Sequence, residues 1–259
     1  MPPRLFIDKP LTDKPLTGQA ELTLEGDAGH YLTRVLRLGR GASITLFDGS
    51  GGEWACTLME GGSKPRVQLN TFIPEERESP LHITLIHGLP KSSAMELVIQ
   101  KGTELGLTTL IPLHSQYATP RVNPKRHENR QRRWQRIAIE AAEQCGRTKL
   151  PHLLPPLTFK ELPDQLPPND LRLIFWEKER DGHSLSPLAA PSPLPTSVTL
   201  LIGPEGGFSE EEVRLAQEEM GFECLGLGPR ILRTETAAIA AITAMQLLYG
   251  DMGMGRARK

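Results

Sequence analysis

A chain of 259 residues, 38% hydrophobic and 24% charged, is long enough to bury a sizeable core as one domain or two. Its formal net charge of -1 does not describe a uniformly basic nucleic-acid binder, so an RNA partner has to be met by cations gathered locally. Three scattered cysteines, Cys56, Cys145 and Cys224, without C-x-x-C spacing, and histidines without H-E-x-x-H spacing argue against a disulfide framework and a metal site. With no apolar leader and no run of membrane-spanning length, a reduced cytoplasmic compartment is the expectation.

Up to about residue 73 the pattern is one of short strands. Residues 4–7 and 21–24 read as strands, and residues 43–48 and 53–59 as a hairpin around Gly49-Ser50-Gly51-Gly52. Residues 65–73 supply another strand. One helix interrupts, expected over residues 28–38 with Asp27 as its N-cap and Gly39 as its stop. This mixture predicts a small β-barrel-like module over residues 1–74, and the charged PEERESP that follows reads as a linker.

From Leu81 the elements lengthen and alternate. Strands are expected at residues 81–86, 108–113, 171–176, 198–202 and 223–227, and helices at 92–105, 127–145, 209–220 and 235–249. The proline-rich stretches 162–168 and 187–195 read as surface connections. Strands alternating with helices predict an α/β domain over residues 80–250 with a mostly parallel sheet.

Two segments carry chemistry. The apolar strand VTLLI runs into Gly203-Pro204-Glu205-Gly206-Gly207, and Ser209 with Glu212 matches a capping box at the start of the next helix. Glycines there let the backbone approach a ligand, and a helix start presents free N–H groups to an anion. Taken alone, the same string also fits a plain strand-to-helix turn. The second segment, LGLGPRILRTETAA, ends a strand in a Gly-Pro turn and continues as an Arg-rich loop, with Thr234 or Glu235 at a helix start. Apolar Leu227, Ile231 and Leu232 between polar residues suit a flat ring whose edge is read by backbone groups. The two segments together, one helix apart, are far more specific than either. A P-loop and a dinucleotide-binding G-x-G-x-x-G are both missing, which sets a nucleotide hydrolase far down the order.

The strings LIGPEGGFSEEEV and LGLGPRILRTETAAIAAITAMQ resemble the C-terminal signature of SPOUT-class, S-adenosylmethionine-dependent RNA methyltransferases. More narrowly they resemble the RsmE family, which methylates N3 of a uridine in small-subunit (16S) ribosomal RNA. HYLTRVLRLGRGASITLFDGSGGEW is similar to that family's PUA-like RNA-binding module, and LIHGLPKSSAMELVIQKGTELGLTTLIPL and RWQRIAIEAAEQCGRTKLP to its middle segments. One stretch departs: where the family carries a Glu-Arg-Ser-like string, this chain reads His114-Ser115-Gln116-Tyr117-Ala118-Thr119, which leaves the rim of the active site open.

The resemblance implies a SPOUT-type α/β domain with a deep C-terminal trefoil knot behind a PUA-like β-barrel, a homodimer, and 16S rRNA as partner, within the 30S subunit. It implies S-adenosyl-L-methionine held by Ile202, Gly203, Glu205 and Gly206 in one loop. Leu227, Gly228, Ile231, Leu232, Thr234, Thr236 and Ala237 would form the second loop, and Phe175, Trp176 and Glu177 a third. A sulfonium is already a strong electrophile, so no metal is required. Removing the uridine N3 proton calls for a cation near the uracil anion; Arg233 is the first choice, beside Arg230, with Glu235 orienting one of them or accepting the proton. RNA grip is expected from the basic stretch Arg121, Lys125, Arg126, Arg130, Arg132, Arg133 and Arg136. A second group is Arg4, Arg34, Arg37 and Arg40, with Arg34 and Arg37 on one helix face, and Lys91 and Lys101 are further candidates. Two alternatives stay open: a SPOUT methyltransferase for another RNA position, and a non-catalytic RNA-binding assembly factor.

Overall fold

The computed structural model describes residues 2–11, 20–62, 64–74, 77–91, 93–118, 124–167, 171–178 and 194–253, with backbone only at 27 and 124–127. They divide into two compact units, Met1–Glu78 with Ala142–Leu150, and Ser79–Ala141 with Pro151–Lys259. None of the helices among the described residues is long and apolar enough to cross a membrane.

The first unit holds β1 (Arg4–Phe6), β2 (Ala20–Thr23), β3 (Ser43–Phe47), β4 (Glu53–Glu60) and β5 (Arg66–Ile73) in one sheet of order β1-β3-β4-β5-β2. β1 runs parallel to β3 and the other pairs are antiparallel. The β3–β4 hairpin is as expected; Gly49, Gly51 and Gly52 all sit at positive φ, where a side chain would be strained. Leu5, Leu46, Trp54, Leu58 and Val67 build the core. The expected helix is shorter than read: α1 (Gly26–His30) widens into a π turn over Tyr31–Val35. Asp27 therefore lies inside the first turn instead of capping it. Arg37 stands beyond the helix at φ 51, so Arg34 and Arg37 do not share a helix face.

Residues 142–150 join this unit through buried charge, an arrangement no local pattern announces. Arg4 pairs with Glu53 at 2.8 Å and donates to the carbonyls of Ala142, Glu143 and Arg147. Those first two carbonyls end a helix, where the backbone is partially negative. Arg147, 5% exposed, pairs with Glu78 at 2.7 Å, and the same carboxylate accepts the Thr148 and Lys149 N–H groups.

The second unit contains β6 (His82–Gly88), α2 (Ala94–Glu104), β7 (Thr109–His114), α3 (Pro124–Cys145, its last turn belonging to the first unit), β8 (His152–Leu153) and β9 (Leu157–Thr158). It continues through β10 (Leu171–Phe175), β11 (Ser197–Ile202), α4 (Glu210–Glu218), β12 (Glu223–Leu225) and α5 (Thr234–Leu248). Every ladder is parallel, in the order β12-β10-β11-β6-β7-β8, with β9 also on β7. The short β8 and β9 were not expected from sequence. Register explains the two-sided core. Leu173, Leu200, Leu85 and Leu110 line up across four strands and face the cluster built with α2, α3 and α5. The next row, Ile174, Leu201, Ile86 and Ile111, faces the opposite cluster with Val213 and Ala216 of α4. Strands buried on both faces read as continuous apolar runs, as these do.

Arg147→Met should strip the half-buried Glu78 carboxylate of its ion-pair partner and lower stability by about 3 kcal/mol. The double variant Arg147→Met with Glu78→Leu should recover part of that loss in denaturant titrations.

Candidate active site

Three loops leave the sheet at its carboxyl edge, after β10, β11 and β12, and enclose a cleft of about 1160 Å³. Open α/β sheets place ligands at this edge.

The first loop starts where β11 ends at Ile202. Gly203-Pro204-Glu205-Gly206-Gly207 turns back on itself, with the Gly207 N–H donating to the Pro204 carbonyl at 2.9 Å. Gly207 has a φ of 69°, and a Cβ on it would run into the Glu177 carboxylate. A Cβ on Gly206 would press at 2.9 Å on that of Tyr117, so the divergent 114–119 stretch backs this loop. The capping box forms as read: Ser209 Oγ accepts from the Glu212 N–H, and Glu212 Oε2 accepts from the Ser209 N–H at 2.9 Å. Buried Glu212 also takes the Gln116 N–H at 2.7 Å, which fastens the Tyr117 turn to α4. On its other side, Glu205 accepts the Lys91 backbone N–H through both carboxylate oxygens.

The second loop runs from Gly226 to Arg233, turning at Gly228 (φ 89°). Ile231 is 77% exposed, and Arg230 and Arg233 project into solvent. Among the described residues neither arginine forms an ion pair, and Glu235 pairs with neither. Arg233 is the N-cap residue of α5 and contributes no side-chain cap. The third loop is Trp176-Glu177. Trp176 ties the other two together, its N–H donating to the Leu225 carbonyl and its indole Nε1–H to that of Phe208.

The cleft is lined by Phe175, Trp176, Glu177, Ile202, Gly203, Glu205, Gly206, Leu227, Gly228, Ile231, Leu232, Thr234 and Ala237, and by Arg230, Arg233 and Glu235. All are residues that the sequence singled out. Thr236 is the exception: it is exposed and outside the cleft. The helical repeat explains this, because Thr234 and Ala237 share a face of α5 from which Thr236 is turned away. Pro204, Gly207, Gly226 and Pro229 also line the cleft and were not singled out individually.

Sequence reasoning missed what supports the first loop from beneath. His87 and Gly88 end β6 directly beneath the first loop. A Cβ on Gly88 would collide with Pro204, so only glycine lets the Gly203–Pro204 peptide lie on the strand end. His87 is wholly buried. Its Nδ1 lies 2.9 Å from the Gly88 carbonyl and its Nε2 3.1 Å from Thr234 Oγ1, which donates to the Gly203 carbonyl at 2.6 Å. Burial pushes its pKa down to about 4, against opposing contributions from those hydrogen bonds and from Glu205 and Glu235. A histidine closing an apolar strand carries no sequence signal of such a role.

The expected RNA contacts separate into groups. Arg4 is internal to the first unit, consumed by Glu53 and the helix-end carbonyls, and is withdrawn as an RNA contact. Arg34, Arg37, Arg40 and Lys91 are exposed. Lys101 pairs with Glu104, Arg132 with Glu128, Arg133 with Glu96 and Arg136 with Glu140, while Arg130 lies 5.8 Å over the Trp134 ring. Exposed pairs of this kind are worth little and do not withhold a cation from a phosphate. Arg121 and the side chains of Lys125 and Arg126 lie outside the described residues.

The fold and this cleft define a class: residues 77–246 match the family model for the RNA methyltransferase domain, and residues 24–70 that for the RNA methyltransferase PUA domain. The chain is 34% identical over 257 residues to ribosomal RNA small subunit methyltransferase E of Bacillus subtilis (strain 168), covering 96% of this chain and 99% of the relative. The enzyme of that name from Synechocystis is 37% identical, over 89% of this chain and 74% of the relative. Among solved structures, a methyltransferase from Legionella pneumophila with bound cofactor SAM matches with TM-score 0.87 at 33% identity. Ribosomal RNA small subunit methyltransferase E of Neisseria gonorrhoeae bound to S-adenosyl methionine matches with TM-score 0.85 at 33% identity, each pair aligning over 97% of this chain and 99% of the other. The chain belongs to the ribosomal RNA small subunit methyltransferase E family.

Because the unfolded imidazole takes up a proton near 6.5 and the folded one only near 4, the unfolded state binds more protons between these values. Stability should be fully present above pH 6.5 and drain away as the pH falls to 4. His87→Gln should flatten that part of a thermal-unfolding pH series.

Proposed function

We propose that the cleft binds S-adenosylmethionine and that the protein transfers its methyl group to N3 of a uridine in 16S ribosomal RNA. The observation that carries this reading is the convergence of the three backbone-rich loops beside two arginines, Arg230 and Arg233, that are exposed and form no ion pair among the described residues. The two similar structures with bound SAM, aligned over nearly the whole chain, support the choice of cofactor. The cleft fits it: glycine lines the walls at Gly203, Gly206, Gly207 and Gly228, so main-chain groups can reach a ligand at close range. When bound, the cofactor supplies an electrophilic methyl group.

The chain's own residues then have to manage the uridine proton. The N3–H is a weak acid, and each unit by which its pKa exceeds the ambient pH costs about 1.4 kcal/mol. Arg233 stabilises the uracil anion, with Arg230 beside it. Of the two roles open to Glu235, orienting an arginine has no ion pair behind it among the described residues, so the carboxylate is assigned to accept the proton. RNA is held by the Arg130–Arg136 face of α3 and by Arg34, Arg37 and Arg40 of the first unit, with Arg121, Lys125, Arg126, Lys91 and Lys101 as further contacts.

The same reading carries the finer architecture: a PUA-like barrel over residues 1–74, a SPOUT domain over 80–250 with its C-terminal segment in a trefoil knot, a homodimer, and a cytoplasmic enzyme acting on rRNA of the 30S subunit.

Incubation of undermethylated 16S rRNA with enzyme and S-adenosylmethionine, followed by mass-spectrometric mapping, should show a single N3-methyluridine; methylation spread over transcripts lacking that uridine overturns the site. Arg233→Ala should lower kcat about 100-fold while leaving cofactor affinity nearly unchanged. An equal fall in both would make Arg233 a binding residue. Replacing Arg130 and Arg133 by alanine should reduce the slope of log K for RNA against log salt by about 1 for each phosphate that is no longer neutralised.

A further inference from the structure

The buried contacts beneath the cleft are one proton short. Three are in place: His87 Nδ1 to the Gly88 carbonyl, His87 Nε2 to Thr234 Oγ1, and Thr234 Oγ1 to the Gly203 carbonyl. A neutral imidazole and a hydroxyl carry one proton each. An imidazolium would serve all three, but the ring is completely enclosed and charging it there is costly. The distances decide where the protons go. Thr234 lies 2.6 Å from the Gly203 carbonyl, the shortest of the three contacts, and its only proton belongs there. Its oxygen then faces Nε2 as an acceptor, which places the ring proton on Nε2 and leaves the 2.9 Å contact between Nδ1 and the Gly88 carbonyl as the one without a proton.

We propose that His87 is a positioning residue for the cofactor cleft, its Nε2–H donating to Thr234 and so directing the threonine hydroxyl onto the Gly203 carbonyl. This rests on the reading of the cleft as a cofactor site. The chain of two hydrogen bonds runs from the end of β6, through the first residue of α5, to the first residue of the Gly-rich loop. It ties the second cofactor loop to the first, at positions 31 residues apart in sequence. It also sets the plane of the Gly203–Pro204 peptide, which has little other freedom because Pro204 lies against Gly88. The ring is buried and does not line the cleft; it acts through Thr234.

The amide nitrogen of glutamine stands as many bonds from Cβ as Nε2 of histidine does, and that of asparagine as many as Nδ1. The variants His87→Gln, His87→Asn and His87→Leu therefore separate the role of Nε2 from the mere presence of a side chain. By calorimetry with S-adenosylmethionine, His87→Gln should bind within about threefold of the wild type, and His87→Asn and His87→Leu about tenfold more weakly, as the loss of one buried hydrogen bond implies. Equal weakening in all three, or none in any, overturns the proposal. Since the leucine variant can fail for want of folding, nitrogen-15 NMR of the wild-type imidazole gives a second reading. An Nε2–H tautomer near neutral pH supports the assignment and an Nδ1–H tautomer overturns it. Wild-type protein that fails to bind S-adenosylmethionine would instead sink the cofactor reading itself.

Discussion

In a sheet whose ladders all run parallel, every strand delivers its carboxyl end to the same edge, and loops far apart in sequence meet there. β10, β11 and β12 release Trp176, Gly203 and Gly226 side by side because their registers hold Phe175 beside Ile202 and Leu225. Nothing in the loops themselves could bring this about. Their glycines make a cleft that backbone can line, but its existence depends on the rows of leucine and isoleucine that lock those registers from both faces.

Convergence places the loops; contacts at the strand ends hold them. Gly88 lets one peptide lie against another, Trp176 bridges two loops through main-chain carbonyls, and Thr234 spans from the start of α5 to Gly203. Each works by geometry at a distance of a few ångströms. Among the described residues Arg230 and Arg233, two cations that line the cleft, form no ion pair, and they are the ones proposed to meet a uracil anion. Some cations elsewhere are spent on structure. Arg4 and Arg147 bind helix-end carbonyls and buried carboxylates in the first unit, and Arg172 binds the carbonyls of Met220 and Pro167. A net charge near zero thus accommodates both a supporting set of arginines and an exposed set at the cleft.

Most of the cleft was legible as sequence. GPEGG after an apolar strand, the Ser209–Glu212 box and the Arg-rich turn are local signals, and the resemblance to a known family assigned their ligand. Several errors arose where a residue's neighbours are distant in the chain. Arg4 read as a surface cation because its partners Glu53, Ala142 and Arg147 are dozens of residues away. Residues 142–150 read as part of the second module because the helix they end begins there. Thr236 was grouped with Thr234 although two residues along a helix turn a side chain to another face. His87 drew no notice at all, since its strand differs little from any other buried apolar run.

The sequence by itself determined most periodicities, the Gly49–Gly52 turn and the Ser209–Glu212 cap, because each depends on residues within a few positions of one another. That was enough to predict an α/β domain behind a strand-rich module and to mark the two loops that matter. Only the tertiary structure decided that those loops share one cleft, that His87 and Gly88 pack beneath the first of them, and that Arg4 faces inward. Those outcomes depend on strand order and register, which bring together groups such as His87, Gly203 and Thr234 that no local interaction connects.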